Sequence, residues 1–151
     1  MGDSVNLRAA TAADASLMAR LHKGAFAEGW SEKALADLIV LPGSFAFIVE
    51  IDGIPAGFVL TRVAADEAEI LTLAVSPDYR CHGLGRALMQ AAAKRAAEGG
   101  ATALFLEVDA GNIPARRLYE ALGFAEVGRR GAYYRRKAEQ AAEALILKWP
   151  L

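Results

Sequence analysis

Residues 80–86 carry the pattern of an anion-binding turn. They read Arg-Cys-His-Gly-Leu-Gly-Arg and lie where a β-rich segment changes into a helical pattern. Glycines at a helix start leave backbone N–H groups uncovered, and these groups together with the helix dipole favour a phosphate or pyrophosphate. Arg80 and Arg86 can add charge-assisted hydrogen bonds to such an anion. Taken alone, a Gly-x-Gly turn that only allows tight packing explains these residues equally well.

Two nucleotide-binding classes are excluded by what surrounds Gly83 and Gly85. No Gly-Lys-Ser/Thr follows them, so the turn is not a Walker loop, and the third glycine and distal acidic residue of a dinucleotide fingerprint are missing. Cys81 stands near a helix start, where the pKa of a thiol can fall, but its position in the pattern is unspecified and we expect no catalytic role. His22 and His82 have no companion ligands at metal spacing, so we expect no metal site.

The composition is typical of a globular protein without a strong global charge. The chain has 151 residues, 54% of them hydrophobic, and its 17 basic and 18 acidic residues give a formal net charge of -1. We therefore expect a single domain over residues 1–151 and no direct nucleic-acid binding. The lone cysteine excludes a disulfide scaffold, and the sequence shows neither a signal segment nor an apolar run of ~18 residues. These features predict a cytoplasmic protein without a membrane segment and leave the oligomeric state open.

Hydrophobic periodicity predicts the elements that must position the turn. Residues 5–8 form a first strand, and Thr11, with Asp14 three residues on, begins a helix as in a capping box. Ser31 caps a second helix. Further strands are predicted at 45–51, 54–63, 67–75, 103–108, 124–130 and 144–149, and further helices at 83–99 and 114–122.

The predicted order of elements, βααβββαβαββ, indicates an α+β or mixed α/β fold. Antiparallel strands come first, with Asp52-Gly53 as a two-residue hairpin turn, and a parallel crossover lies in the middle. Residues 136–144 are good helix formers between two strands. A loop and a helical turn both remain open for them, the loop being slightly favoured.

Two longer segments carry a family resemblance. Residues 73–85, Leu-Ala-Val-Ser-Pro-Asp-Tyr-Arg-Cys-His-Gly-Leu-Gly, resemble the acetyl-CoA signature of the GNAT superfamily of N-acetyltransferases, in which Gln/Arg-x-x-Gly-x-Gly/Ala cradles the CoA pyrophosphate. Residues 112–124, Asn-Ile-Pro-Ala-Arg-Arg-Leu-Tyr-Glu-Ala-Leu-Gly-Phe, resemble that family's Asn-x-x-Ala-x-x-Leu-Tyr-x-x-x-Gly-Phe segment. The resemblance implies the GNAT fold, a central mixed, largely antiparallel twisted sheet of about six or seven strands flanked by about four helices.

Within the superfamily the chain most resembles the bacterial ribosomal-protein-alanine N-acetyltransferases. The shared features are Trp-Ser-Glu-Lys at 30–33, Leu-Glu-Val at 106–108, Arg129-Arg130 and Tyr133-Tyr134. The chain departs from this family in three places: residues 109–112 read Asp-Ala-Gly-Asn where Arg-Ala-Ser-Asn is common, Gly131-Ala132 replaces an Asn, and no Pro follows Tyr134. The first and third departures flank the expected acceptor side. The resemblance implies direct acetyl transfer to the N-terminal alanine of a small-subunit ribosomal protein. Another protein or a small-molecule amine is the alternative acceptor, and a CoA-binding module without catalysis is a further alternative.

The same resemblance implies which residues hold acetyl-CoA as co-substrate, without a metal. The backbone of 73–75 would bind the thioester carbonyl and the pantetheine amides, and Asn112 would bind the pantetheine arm, with helix N-capping as its alternative role. The full set of expected contacts is Leu73, Ala74, Val75, Arg80, Cys81, His82, Gly83, Leu84, Gly85, Arg86, Asn112, Ala115 and Tyr119.

Acetyl transfer to an amine needs a base for the amine proton and an acid for the departing thiolate. The resemblance assigns these roles to Glu107 and Tyr119. Apolar neighbours around Glu107 predict an unpaired carboxyl with a raised pKa, whereas an ordinary salt bridge is the alternative. Glu69, at the position of the base in other GNAT branches, is the alternative base. A phenol pKa of about 10 lies only ~1.5 units above that of a thiol, which makes Tyr119 a reasonable acid, and packing is its alternative role.

The strength of the base bears on the substrate. An α-amine has a pKa near 8 and a lysine near 10.4, so deprotonating a lysine costs roughly 3 kcal/mol more, which favours a protein N-terminus as acceptor. Tyr133-Tyr134, with the arginines at 129, 130, 135 and 136, is open to two interpretations, a lip that contacts an acidic or RNA-bearing partner and a polar hairpin.

Overall fold

The computed structural model describes residues 4–26, 29–80, 83–130 and 143–151. The elements in chain order are β1 (Val5–Ala9), α1 (Ala15–Ala25), α2 (Glu32–Ile39), β2 (Ser44–Ile51), β3 (Ile54–Ala64), β4 (Glu67–Val75), α3 (Leu84–Glu98), β5 (Ala103–Asp109), α4 (Ile113–Leu122), β6 (Ala125–Arg130) and β7 (Ala144–Pro150). Single 3-10 turns at Ala12–Asp14 and Pro77–Tyr79 precede α1 and α3. The predicted order of strands and helices is confirmed, whereas most of the 136–144 segment lies outside the described residues.

The strands form one sheet in the order β1-β2-β3-β4-β5-β7-β6. β4 and β5 run parallel and are joined by α3, and the other described pairs are antiparallel. β7 therefore enters between β5 and β6, which leaves β6 at the edge. The predicted mixed α+β fold with a largely antiparallel sheet is confirmed.

Helices cover the sheet from both sides through two separate cores. On the face that we call the α1–α2 face, buried Met18 and Leu35 pack against strand residues that include Ile48 and Phe58. On the opposite face, the α3–α4 face, half of the buried residues of α3 are alanine, and the helix packs with α4 on residues of β2, β3, β4, β5 and β7. Small side chains of this kind allow a helix to lie close to a sheet.

The start of α1 differs from the sequence prediction. Thr11 and Asp14 form the expected capping box, in which the Thr11 hydroxyl accepts from the Ala13 N–H at 3.2 Å and the Asp14 carboxylate accepts from the Thr11 N–H at 2.9 Å. This box caps a 3-10 turn, and α1 itself begins at Ala15. Arg8 also pairs with Asp14 at 3.0 Å, which ties the turn to β1.

Two local features, a hairpin turn and a helix cap, were predicted correctly from the sequence. Asp52 and Gly53 have φ angles of 51° and 82°, the left-handed pair that a two-residue hairpin between β2 and β3 requires. Ser31 caps α2 by accepting from the Ala34 N–H at 3.0 Å. Both predictions succeeded because the interactions involved are local in the chain.

β4 contains a β-bulge that the sequence pattern did not predict. In its pairing with β3, Leu60 lies opposite Thr72 and Thr61 lies opposite Ile70, so Leu71 is the extra residue. A bulge bends its strand and moves the following side chains to the other face. The second half of β4 is therefore turned relative to the first.

β4 and β5 pair over only part of their lengths. Their register runs from Glu67 opposite Ala103 to Glu69 opposite Phe105 and stops there, although both strands continue. The bulge at Leu71 lies just beyond the last pair. The two strands thus separate in the middle of the sheet and leave a cleft between their C-terminal halves.

Candidate active site

The cleft leaves one edge of β4 without a neighbouring strand. Beyond Glu69, the described residues of β4 pair with β3 alone, so backbone N–H and C=O groups on the side of β5 are available to an extended ligand. Leu73 and Val75 pack against the α3–α4 core, and Ala74 is buried on the α1–α2 face. The three residues predicted to contact the pantetheine arm therefore lie along this open edge.

The first turn of α3 lies at the end of the same edge. Its N-cap, Gly83, has a φ of 77°, and no atom lies within 4 Å of the position that a Cβ would occupy. The first hydrogen bond of helix α3 is donated by the Ala87 N–H to the Gly83 carbonyl at 3.1 Å. The N–H groups of residues 84–86 come before this bond and therefore have no acceptor within the helix. An open left-handed glycine followed by these N–H groups suits an anion such as pyrophosphate.

Gly85 allows three elements to meet at this point. A Cβ at Gly85 would lie 3.1 Å from Leu118 Cδ2 of α4 and 4.0 Å from Leu73 Cδ2 of β4. The two sequence segments that carry the family resemblance, 73–85 and 112–124, are therefore in contact. Packing and anion binding, which the sequence left as alternatives for the Gly-x-Gly turn, are compatible in this arrangement.

Arginines flank the helix start. Arg80 donates to the Ala25 carbonyl at the end of α1 at 3.5 Å, and Arg86 is exposed on the first turn of α3. Leu84 is buried beneath that turn. Cys81 and His82 lie outside the described residues, so their predicted contacts stay predictions.

Asn112 is exposed at the N-cap of α4, and Tyr119 lies on the buried side of that helix. Asn112 caps the helix by accepting from the Ala115 N–H at 3.2 Å, which is the alternative role that the sequence left open for it. Tyr119 is buried, and its ring meets Phe124 edge-on at 5.7 Å. Packing and a chemical role are therefore both open to Tyr119.

Burial changes the acid strength of Tyr119. It raises the pKa of the phenol to about 12, so the hydroxyl keeps its proton throughout the neutral range. The pKa of a thiol is ~8.5, and the gap between the two groups is thus roughly 3.5 units rather than the ~1.5 expected from the sequence. The expectation of a closely matched acid was therefore wrong.

Two carboxylates and an arginine share the α1–α2 face beside the cleft. Glu107 lies two residues beyond Phe105, the last β5 residue paired with β4, and Glu69 is that residue's partner. Arg130 of β6 pairs with Glu107 at 3.1 Å. The expected unpaired, apolar environment of Glu107 was wrong, because its apolar sequence neighbours point to the opposite face of β5.

The pKa of the Glu69 carboxyl is raised. Burial is the largest cause, the nearby charge of Glu107 adds to it, and the charge of Arg130 opposes both. Glu69 is nevertheless reached by solvent and lines a groove of about 290 Å³ with Arg62, Glu67 and Phe105. The structure therefore brings both candidate bases together and leaves their division of labour to experiment.

His22 lies next to β4 on the α1–α2 face, although sequence analysis assigned it no role. It is buried on α1, its Nδ1 accepts from the Trp30 N–H at 3.1 Å, and its Nε2 lies 3.1 Å from Thr72 Oγ1. Because Nδ1 accepts, the ring proton must lie on Nε2, which donates to Thr72. Burial lowers the pKa of His22 and so favours this neutral form. The signal in the sequence was a histidine at an apolar position of α1.

Aromatic rings complete the His22 environment. Phe26 stacks on the imidazole with ring centres 4.3 Å apart, and Trp30 stacks at 5.0 Å. Both rings keep about two fifths of their surface exposed, at 41% and 37%. The connection between α1 and α2 is thereby attached to β4 immediately after the bulge.

Neither a membrane helix nor a metal cluster is found in the part of the chain that the structure describes. Its helices are too short or too polar to cross a bilayer. Among the same residues, no three His, Cys, Asp or Glu side chains form a group that could hold a metal ion.

Comparison with known proteins identifies the family. The model of the acetyltransferase (GNAT) family matches residues 15–124. The chain belongs to this family. Its members use acetyl-CoA, and this acetyltransferase is accordingly an acetyl-CoA-dependent N-acetyltransferase. The cleft, the open β4 edge and the α3 start are the parts of the fold that the family resemblance predicted to bind that co-substrate.

Individual relatives agree with this assignment. The [ribosomal protein bS18]-alanine N-acetyltransferase of Escherichia coli (strain K12) is 37% identical over 133 residues, which are 87% of each chain. The crystal structure of the Escherichia coli ribosomal-protein-S18-alanine N-acetyltransferase has a TM-score of 0.88 and 33% identity, and the match covers 97% of this chain and 94% of that one. A Bacillus anthracis structure solved with acetyl coenzyme A has a TM-score of 0.81 at 20% identity, covering 98% and 100%, and shows the shared fold.

Proposed function

We propose that this acetyltransferase acetylates the N-terminal α-amine of a protein, with an N-terminal alanine of a small-subunit ribosomal protein as acceptor. The observation that carries the proposal is the carboxylate pair of Glu69 and Glu107 beside the open edge of β4. A cation such as an α-ammonium fits this pair. The 37% identity to the bS18-alanine enzyme of Escherichia coli over 87% of both chains supports the same acceptor.

The residues at the cleft fit acetyl-CoA. The open left-handed Gly83 and the N–H groups at the start of α3 would hold the pyrophosphate, with Arg80 and Arg86 nearby. The backbone of Leu73–Val75 would pair with the pantetheine amides as an added strand does. When bound there, acetyl-CoA supplies an activated acetyl group and a thiolate leaving group.

The side chains then supply the proton transfers. In the proposed mechanism Glu107 removes the proton of the acceptor ammonium, directly or through one water, so that a neutral amine can attack. Tyr119, which burial keeps protonated, donates to the departing thiolate, and the second proton that the nitrogen loses on forming the amide returns through water to the Tyr119 phenolate. The backbone N–H groups of β4 stabilise negative charge on the thioester oxygen. These roles are predictions that the following experiments address. The single domain and the cytoplasmic location expected from the sequence stay predictions.

A thiol-release assay with a peptide panel tests the proposed function. The panel holds peptides of one sequence that begin with Ala, Ser or Met, the same Ala peptide with its N-terminus blocked, a lysine-only peptide and spermidine. We expect selective turnover of the free Ala peptide and none of its blocked twin. Turnover of spermidine or lysine alone would keep the fold and co-substrate and overturn the acceptor.

A further inference from the structure

Arg130 belongs to the segment for which the sequence allowed two interpretations, a lip that contacts a partner and a polar hairpin. It lies at the end of β6, opposite Ala144 of β7, and its Nη2 contacts Glu107 Oε2 at 3.1 Å. The pair crosses from β6 to β5 over the intervening strand β7 on the α1–α2 face. About half of the Arg130 side chain and a third of the Glu107 side chain are exposed, at 51% and 34%. A substrate entering from solvent can therefore reach this pair.

Arg129, its neighbour, provides a natural contrast. It lies opposite Leu145, a residue of the α3–α4 core, and so belongs to the other face of β6. Its guanidinium binds Glu126 at 2.7 Å and Glu143 at 3.0 Å. Two adjacent arginines of one strand thus carry separate ion pairs, and only that of Arg130 includes a candidate base.

We propose that Arg130 is a positioning residue for acceptor deprotonation, fixing one oxygen of the Glu107 carboxylate from the β6 side and placing a positive charge beside the Glu69–Glu107 pair so that the pair can take the acceptor's proton. The proposal rests on the proposed function, since it concerns the same site. Without Arg130, the negative charge of Glu107 would act on Glu69 without that opposing positive charge, which favours the protonated form of Glu69.

Other charged groups on this face do not replace Arg130. The groups of the described residues that face the pair are Arg62 on β3, Glu67 on β4, Asp109 on β5 and Lys148 on β7, with neutral His22 on α1. Arg62 donates to the Pro42 carbonyl at 3.2 Å, and Lys148 lies over the Phe105 ring at 5.8 Å from its centre. Among the described residues, Arg130 is the cation that directly contacts a carboxylate of the pair.

The pH dependence of acceptor turnover distinguishes positioning from a merely structural role. The charge of Arg130 lowers the pKa of Glu69, so its removal raises the pH at which Glu69 loses its proton. In Arg130→Gln we expect the acidic limb of kcat/KM for an Ala peptide to move up by about 1 pH unit. Above that limb the rate should return toward that of the wild type, since the base is then ionised without help.

The experiment compares Arg130→Gln, Arg130→Lys and the matched control Arg129→Gln with wild type at saturating acetyl-CoA. We expect Lys to restore the wild-type limb and Arg129→Gln to leave it in place. An unmoved limb in Arg130→Gln, an equal loss at every pH, or the same shift in Arg129→Gln would overturn the proposal.

A second readout does not depend on turnover. Carbon-detected NMR of the Glu69 carboxyl follows its titration directly, and we expect a higher titration midpoint in Arg130→Gln than in wild type or Arg129→Gln. An unchanged midpoint overturns the role of Arg130 whatever the substrate. If wild type acetylates no Ala peptide while the midpoint moves, the proposed acceptor fails and the electrostatic role of Arg130 stands.

Discussion

At the scale of single residues, Tyr119 is the clearest test of acid catalysis. Tyr119→Phe keeps the ring that packs on Phe124 and removes only the hydroxyl. We expect kcat to fall about 100-fold or more, as is usual for loss of a general acid, while the Kd for acetyl-CoA changes little. Stopped-flow thiol release and calorimetric titration measure the two quantities. An unchanged kcat would leave Tyr119 with a packing role alone.

The two carboxylates can be separated by a matched pair of substitutions. If Glu107 is the base, Glu107→Gln should lower kcat by about 100-fold or more. Glu69→Gln should cost less, because the proposed base is still present. The reverse order of effects would make Glu69 the base.

The environment of Glu107 shows where residue-level prediction stops. Its sequence neighbours Leu106 and Val108 are buried, but in a strand they point away from Glu107. Its actual partner, Arg130, comes from β6, and the sequence carries no local signal for that contact. The sequence showed the type of Glu107 and its place in the motif. Its ion-pair partner could not be predicted, because that contact depends on the order of the strands in the sheet.

At the scale of elements, close contact between β3 and β4 shapes the cleft edge. A Cβ at Gly57 of β3 would lie 2.6 Å from the Ala74 carbonyl oxygen and 3.2 Å from Val75 Cα. Gly57→Ala must therefore push away the stretch of β4 that is proposed to hold the pantetheine arm. We expect weaker acetyl-CoA binding and a loss of about 1–3 kcal/mol in the free energy of unfolding.

Gly24→Ala is the control for this prediction. Gly24 is exposed within α1, and nothing lies within 4 Å of its Cβ position. Alanine there should raise the free energy of unfolding by about 0.4–1 kcal/mol and leave acetyl-CoA binding unchanged. Denaturant unfolding and calorimetric titration of both variants give the comparison. Equal acetyl-CoA affinity in the two variants would contradict the role given to the β4 edge.

The His22 contacts predict acid sensitivity of the α1–α2 connection. Burial lowers the pKa of His22 in the folded protein below the ~6.5 of an unfolded chain. Its contribution to stability is therefore fully present above about pH 6.5 and is lost as the pH falls through the lowered folded value, because the unfolded state binds the proton first.

A substitution isolates this effect. His22→Gln keeps a neutral side chain that can both donate and accept hydrogen bonds. We expect the wild-type Tm to fall more steeply between pH 7.5 and 5 than that of His22→Gln. Parallel curves would show that His22 does not contribute to the acid sensitivity.

Elements were predictable to different degrees for a physical reason. The Asp52-Gly53 hairpin, the Ser31 cap and the amphipathic helices follow from local sequence. The bulge at Leu71 does not, because it is defined by its pairing with Leu60 and Thr61 on another strand. The bulge lies beside the cleft. The sequence therefore predicted which elements form the site, but not the bend in β4.

At the scale of the whole molecule, the fold class followed from the order of elements and from two signatures 27 residues apart, at 73–85 and 112–124. The structure brings these signatures into contact through Gly85 and Leu118. The insertion of β7 between β5 and β6 was not predicted, because sequence order does not fix spatial order in a mixed sheet. That insertion is what carries Arg130 over β7 to Glu107.

The central claim is that the cleft acetylates a protein α-amine, and one competition experiment tests it most directly. A peptide that begins with Ala and holds one internal Lys is incubated with the protein and acetyl-CoA at pH 7, and tandem mass spectrometry locates the acetyl group. Because a lysine costs roughly 3 kcal/mol more to deprotonate, the account predicts acetylation of the N-terminal Ala alone. Acetyl groups found on the lysine, with a free N-terminus, would contradict it.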